Sequence, residues 1–300
     1  MLDIIFIGGI AFRVVVMTNM TSKVALVRVA GDTQASLAKT LELIGGIGDL
    51  NMRSRNVVIK LGVFSHKAKN HPSVDVVKAI INSFEGAPHI FLAESDNYRG
   101  TGSERLKLWR ELFTERVTPF NLSEDKVTKQ VQITDEKIPF SHILFKPNVF
   151  VSTHVLRKYE NGTILKNLLG LVPDTKKVRF HKKLPKALID MYEAIGGIDL
   201  AVIDGTFAYT GASSSKRKRA DILLVGRDAV AVEAVGARLA GLDPMKMPVI
   251  LEAMERHVGE GDPGKIEVLG ASIEDIERAL KKSAVRGAKS KKREPKNKDR

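Results

Sequence analysis

Cysteine is absent from this 300-residue chain. That excludes disulfides, Cys-ligated zinc and Cys-ligated iron–sulfur clusters, and it fits a reducing, cytoplasmic setting. A divalent metal can bind only through His, Asp, Glu or carbonyl oxygens. Aromatic residues are scarce, at 6%. Leu, Ile, Val and Ala dominate instead, the composition of helices packed on a mostly parallel sheet. Long apolar runs are lacking as well. The longest, Leu2 to Met17, is interrupted by Asp3, Arg13 and glycines and is shorter than the roughly 20 residues a membrane-spanning helix needs. With no basic leader and no small-residue cleavage site, it is a poor signal peptide. It reads as a dispensable extension over 1–19 or a start called too early, with Met17 or Met20 as the true start, the alternatives being an extra strand or a membrane-surface segment; no membrane partner is expected.

Positive charge is in excess but unevenly spread. The last twenty residues, Lys281 to Arg300, hold ten Lys and Arg against Glu294 and Asp299, most of the net +13. The tail is low in apolar residues and is expected to be disordered, with salt-sensitive, non-specific affinity for nucleic acid. A second basic run, Lys216 to Arg219, follows Ser213-Ser214-Ser215 in what reads as a loop. Neither run has the interleaved aromatics of an RNA-binding module.

Between these ends, strands and helices alternate. Val24 to Val29 reads as a strand and Asp32 as the cap of a helix ending at Gly45-Gly46. Strand Asn56 to Val63, helix Val74 to Phe84, strand His89 to Glu94 and helix Ser103 to Phe113 follow. Asn121 to Phe145 reads as a small edge hairpin. Strand, loop and helix come next over Val149 to Leu169, then helix Leu184 to Ile195, strands Leu200 to Asp204 and Ile222 to Val225, and helix Asp228 to Ala240. Two further helices, Met247 to Arg256 and Ile273 to Lys281, enclose a short strand at Ile266. Such alternation predicts right-handed βαβ units: an α/β fold with a mostly parallel twisted sheet, helices on both faces, and one domain over 20–281.

The candidate site residues stand at strand C-terminal ends and in the loops beyond, where open α/β sheets bind ligands. Lys60 lies in an apolar strand, where an unpaired charge is costly, and reads as a holder of an anionic group. His154 directly follows an apolar run and His181 precedes a helix; imidazoles there suit acid/base work or metal ligation. Asp204 closes an apolar strand, as does Glu94. Thr163, Lys166 and Asn167 follow Gly162 in the first turn of an expected helix, an arrangement that can cradle an anion. The glycine spacing is not that of a Walker loop.

The order of these signals resembles the family catalogued as domain of unknown function 362, found in archaea and bacteria. The matching pieces are Val57-Val58-Ile59-Lys60, His71-Pro72, Leu92-Ala93-Glu94-Ser95, Ser152-Thr153-His154, Thr163 to Gly170, His181, Ile203-Asp204-Gly205, Gly226 to Val235 and Gly241-Leu242-Asp243-Pro244. In this chain Glu233 stands where the family usually has Asp. Many members carry a ferredoxin-like cluster module; without cysteine, that redox role does not transfer. The expectation is a protein that binds a small anionic metabolite through Lys60, Thr163, Lys166, Asn167 and Glu94, with His154, His181 and Asp204 as catalytic groups. A non-enzymatic partner of RNA or ribosomes, and a scaffold that has lost its relatives' cluster chemistry, are the alternatives.

Overall fold

The structure is a computed structural model that describes residues 3–7, 10–14, 21–210 and 216–280. The basic tail, the serine run 213–215 and the candidate starts Met17 and Met20 lie outside the described residues. Strands β1 (Asp3–Ile7) and β2 (Ile10–Val14) pair antiparallel with each other.

Eight strands form the central sheet: β3 (Ser22–Arg28), β4 (Val57–Leu61), β5 (Ile90–Glu94), β6 (Val117–Asn121), β9 (Val149–Lys158), β10 (Leu200–Thr210), β11 (Arg217–Gly226) and β12 (Ile266–Gly270). Their order is β12-β3-β11-β10-β9-β4-β5-β6. All run parallel except β11, which is antiparallel to both neighbours. The chain builds outward from β4 through β5 to β6, then returns to the other side of β4 with β9 and continues to β10. The switch in strand order therefore falls between β4 and β9, and the crevice of such a sheet opens outside the C-terminal ends of these strands.

Period-two alternation decides which helix each strand residue meets. On one face lie Val57, Ile59, Leu61, Val202 and Val225, under α1 (Thr33–Leu43) and α2 (Val74–Asn82). On the other lie Val58, Ala201, Ile203 and Leu224, under α4 (Leu184–Ala194), α5 (Ala229–Leu239), α6 (Pro248–Glu255) and a last helix, α7, over 273–280. Asp32 caps α1 and Asp228 caps α5, each accepting two backbone N–H groups, which satisfies donors that a helix start otherwise leaves open. Ala229, Ala231 and Ala234 of α5 are fully buried, as expected of a helix whose small side chains allow close approach to the sheet.

Three readings of the sequence change outside the candidate site. The hairpin of Asn121 to Phe145 is a separate two-stranded sheet, β7 (Thr128–Ile133) and β8 (Glu136–Ser141), that pairs only with itself; the sheet edge is β6. Its apolar side, Ile133, Ile138 and Phe140, packs with α4, and Asp190 accepts from the Thr134 amide at 2.7 Å. The helix expected over Ser103 to Phe113 is a short α3 (Gly102–Leu106) followed by a 3-10 turn with a kink at Trp109, whose indole is fully buried and donates to the Pro72 carbonyl. β10 and β11 are twice as long as their apolar runs, and Phe207, Ala208 and Tyr209 pair with Arg219, Lys218 and Arg217. The basic run Lys216 to Arg219 is thus largely strand. No helix among the described residues is long and apolar enough to cross a membrane.

Candidate functional site

Lys60, on β4, is 1% exposed. Its ammonium lies 2.9 Å from Glu94 at the end of the neighbouring β5 and donates to Asn167 Oδ1 at 3.1 Å and to the Leu61 carbonyl. Glu94 also faces Arg105 at 3.5 Å. Arg105 in turn donates to the backbone carbonyls of Val63 and Ser95. Lys177 completes the group by donating to Ser95 Oγ at 2.5 Å, and Ser95 donates onward to the Gly170 carbonyl. Lys60 and Arg105 therefore pair with one buried carboxylate, and Lys177 stands one residue further out, on Ser95. Burial alone would raise the Glu94 carboxyl, but Lys60, Arg105, Lys177 and the Ser95 amide outweigh it and hold it low. Burial, opposed by Glu94 but reinforced by Lys60 and Arg105, brings Lys177 down to about 7. A Cβ at Gly170 would sit 2.6 Å from Lys60 Nζ, so a side chain there would displace the ammonium. The lysine neither snorkels to solvent nor opens into a crevice. It is locked in a core network, and so are Asn167 and Glu94.

Asp204 has a different setting. β10 runs on past it, so the carboxylate stands in the middle of a long strand, where one oxygen accepts from the Ser73 amide at the start of α2 (2.7 Å) and the other from the Thr206 amide (2.8 Å). It lines a cavity of 330 Å³ together with Lys69, His71, Ser73, Phe207, Tyr209 and Arg217. Arg217 lies over the Phe207 ring at 4.0 Å and donates to the Tyr209 hydroxyl, which itself donates to the Lys69 carbonyl at 2.6 Å. His71 Nδ1 donates to the Pro72 carbonyl at 3.0 Å, so Nε2 is its basic nitrogen. Its ring packs edge-on against Trp109. Burial first of all, against weaker support from the Pro72 carbonyl and Asp204, lowers its pKa, and the ring is neutral at pH 7.

His154 lies within β9, which extends to Lys158, and is 5% exposed. Its Nδ1 accepts from the Val155 amide at 2.7 Å, which puts the proton on Nε2. Burial, then the charges of Arg157, Lys60 and His71, push it well below its usual value. Its ring lies against Gly62, where a Cβ would come within 2.2 Å of Cδ2.

The segment after Gly162 departs most from expectation. It forms no α-helix; Lys166–Leu171 is a 3-10 turn. The amides of Thr163 and Leu165 do form a cradle, but the buried Glu233 carboxylate of α5 fills it, at 2.7–2.9 Å. The corrected reading is an anion cradle filled from within the chain. Gly162, with a positive φ of 90°, precedes these amides, and a Cβ there would come within 3.2 Å of Glu233 Oε2. Lys166 is half-buried and makes no ion pair among the described residues, while His181, in the 3-10 turn before α4, is exposed.

The predicted residues thus fall into four places rather than one crevice: Lys60, Glu94 and Asn167 in the core network, Asp204 in the cavity, His154 buried within β9 against Gly62, and Thr163, Lys166 and His181 around the loop after β9. Among the described residues, no three or more His, Asp or Glu side chains gather as metal ligands. Sequence reasoning did not single out His71, Tyr209 or Arg217 as site residues. His71 was visible only as the residue before the proline that opens α2. Arg217 was hidden in a charge run that carries no apolar alternation.

A search of curated proteins finds no match to this sequence. A family model described as a domain of unknown function, DUF362, matches residues 57–238. That span runs from β4 through most of α5 and takes in every group described above. It covers more than half of the chain, and the protein belongs to the family of domain of unknown function 362.

Proposed function

We propose that the protein binds a small anionic metabolite, through its carboxylate or phosphate group, in the cavity between the start of α2 and the β10–β11 arm. The observation that carries this reading is the lining: Lys69 and Arg217 against the single carboxylate of Asp204, around 330 Å³, a volume suited to a metabolite. Stacking on Phe207 holds the Arg217 guanidinium in place before a ligand arrives, so little side-chain freedom is lost on binding. Asp204, fixed by two amides, and the neutral His71 differ in role. Asp204 orients, and His71 offers Nε2 as a base for a proton on the bound ligand.

A thermal-shift screen of the full chain against small carboxylates and phosphate esters tests this. A ligand at about 100 times its dissociation constant adds roughly 2.7 kcal/mol of stability, and Arg217→Ala is expected to abolish that gain. The reading fails if no member of a broad panel stabilises the protein, or if a stabilising ligand acts equally on Arg217→Ala and His71→Ala.

A further inference from the structure

We propose that the loops after β4 and β5 form a platform for single-stranded nucleic acid, with Tyr98 as a base-stacking surface and Arg99 and Lys67 as phosphate contacts. Tyr98 is 69% exposed, yet the backbone holds it in place. Asn97 and Gly100 exchange two backbone hydrogen bonds, both at 3.1 Å, and close a tight turn with Tyr98 and Arg99 at its tip. The Arg99 amide donates to Asn97 Oδ1 at 2.7 Å, and the Asn97 side chain donates to the Phe64 carbonyl at 3.0 Å. The turn is thereby tied to the loop that follows β4. Phe64 meets Tyr98 edge-on, with ring centres 5.5 Å apart. The Arg99 guanidinium lies 5.0 Å from the Tyr98 ring centre and 5.9 Å from that of Phe64. An aromatic ring fixed in this way loses little freedom when a planar group stacks on it.

The exposed charge beside this ring is mainly positive. From Phe64 to Pro72 the loop holds His66, Lys67, Lys69 and His71 and no acid. His66, Lys67, Lys69 and Arg99 are all exposed. The acids that flank the turn are engaged within the fold: Asp96 accepts from Gly102 and Asn121, and Glu104 from the Thr101 amide. At its far end the loop is joined to the β10–β11 arm, where the Tyr209 hydroxyl donates to the Lys69 carbonyl at 2.6 Å. There Arg217 and Lys218 are exposed and extend the positive surface.

A single strand supplies both kinds of group that this surface can hold: phosphates for the cations, and unpaired bases, each with a π-face, for the ring. A duplex keeps its bases in the stack. A membrane surface calls for a broader apolar face than one tyrosine. Tyr98, Arg99 and Lys67 do not line the cavity, so the inference stands independently of the function proposed above.

Fluorescence anisotropy of the full chain with a labelled, mixed-sequence single-stranded RNA of about 12 nucleotides, across a salt series, tests it. Tyr98→Ala is expected to weaken binding about tenfold, the loss of one stacked base, with the salt slope unchanged. Tyr98→Phe keeps the ring and is expected to bind like the wild type. Replacing Lys67 and Arg99 together with Ala is expected to flatten the slope of log K against log salt by about 1.4, for two phosphate contacts at about 0.7 each. His71→Ala, in the cavity, is expected to leave RNA binding unchanged. Absence of RNA binding by the wild type at low salt overturns the inference. So does binding with the same affinity and salt slope in every variant, which would assign the RNA to the basic tail. Binding lost in His71→Ala but kept in Tyr98→Ala also overturns it, and places the RNA at the cavity instead.

Discussion

Replacing Glu94 with Ala is expected to destabilise the fold by about 3–5 kcal/mol, the usual cost of removing one partner from a buried ion pair. The effect belongs at the upper end of what single substitutions do, because Lys60, Arg105 and Lys177 would then face one another without a counter-charge. Glu94→Gln should cost less, since its amide oxygen can still accept from Lys60. The pH dependence follows from the depressed carboxyl. Its folded-state pKa lies below the unfolded value of about 4.3, so its contribution is fully present at neutral pH and lost as pH falls through the folded value. Urea unfolding at pH 7 and pH 4 measures both effects. A loss below about 1 kcal/mol, the range of an exposed pair, would show that the network does not hold these strand ends together.

Glu233→Ala is expected to have the second largest effect. It strips the acceptor from the Thr163 and Leu165 amides, at about 1–3 kcal/mol for each buried donor left unsatisfied. Glu233→Gln, which keeps one oxygen, should recover part of the loss. This carboxyl has the opposite linkage sign from Glu94. Burial raises it despite the amides and Arg157, so its contribution is fully present below the unfolded pKa and is lost as pH rises through the folded value. Denaturant unfolding of the two variants between pH 4 and pH 8 checks the size and the sign. Equal stability of Glu233→Ala and the wild type would contradict the capping role.

Both residues show what could be read from the chain and what could not. The alternation of apolar runs and capped helices specifies the sheet and its two helical faces, because those signals are local. Lys60 and Glu94 were visible as charges at strand ends, and neighbouring β4 and β5 follow from one βαβ unit. The other members of that network, Arg105 and Lys177, arrive from short 3-10 and helical turns with no periodic signal. Glu233 sits 70 residues from the amide it caps, and no local pattern connects them. The segments 205–210 and 217–221 were misjudged for a related reason. Phe207 to Tyr209 and Arg217 to Arg219 form strands only because they pair with each other, and a run of Lys and Arg by itself gives no strand signal. The cavity depends on that arm, which is why Asp204 was found from sequence and Arg217 was not.

The central claim is that the cavity lined by Asp204, His71 and Arg217 is an anion-binding site. The most direct test is a crystal structure of the full chain with the most stabilising carboxylate or phosphate ester from the screen. The account predicts the anionic group within about 3 Å of the Arg217 guanidinium nitrogens, at hydrogen-bond distance, with the rest of the ligand against His71. A ligand bound elsewhere, with Arg217 still stacked on Phe207 and no density beside it, would contradict the claim.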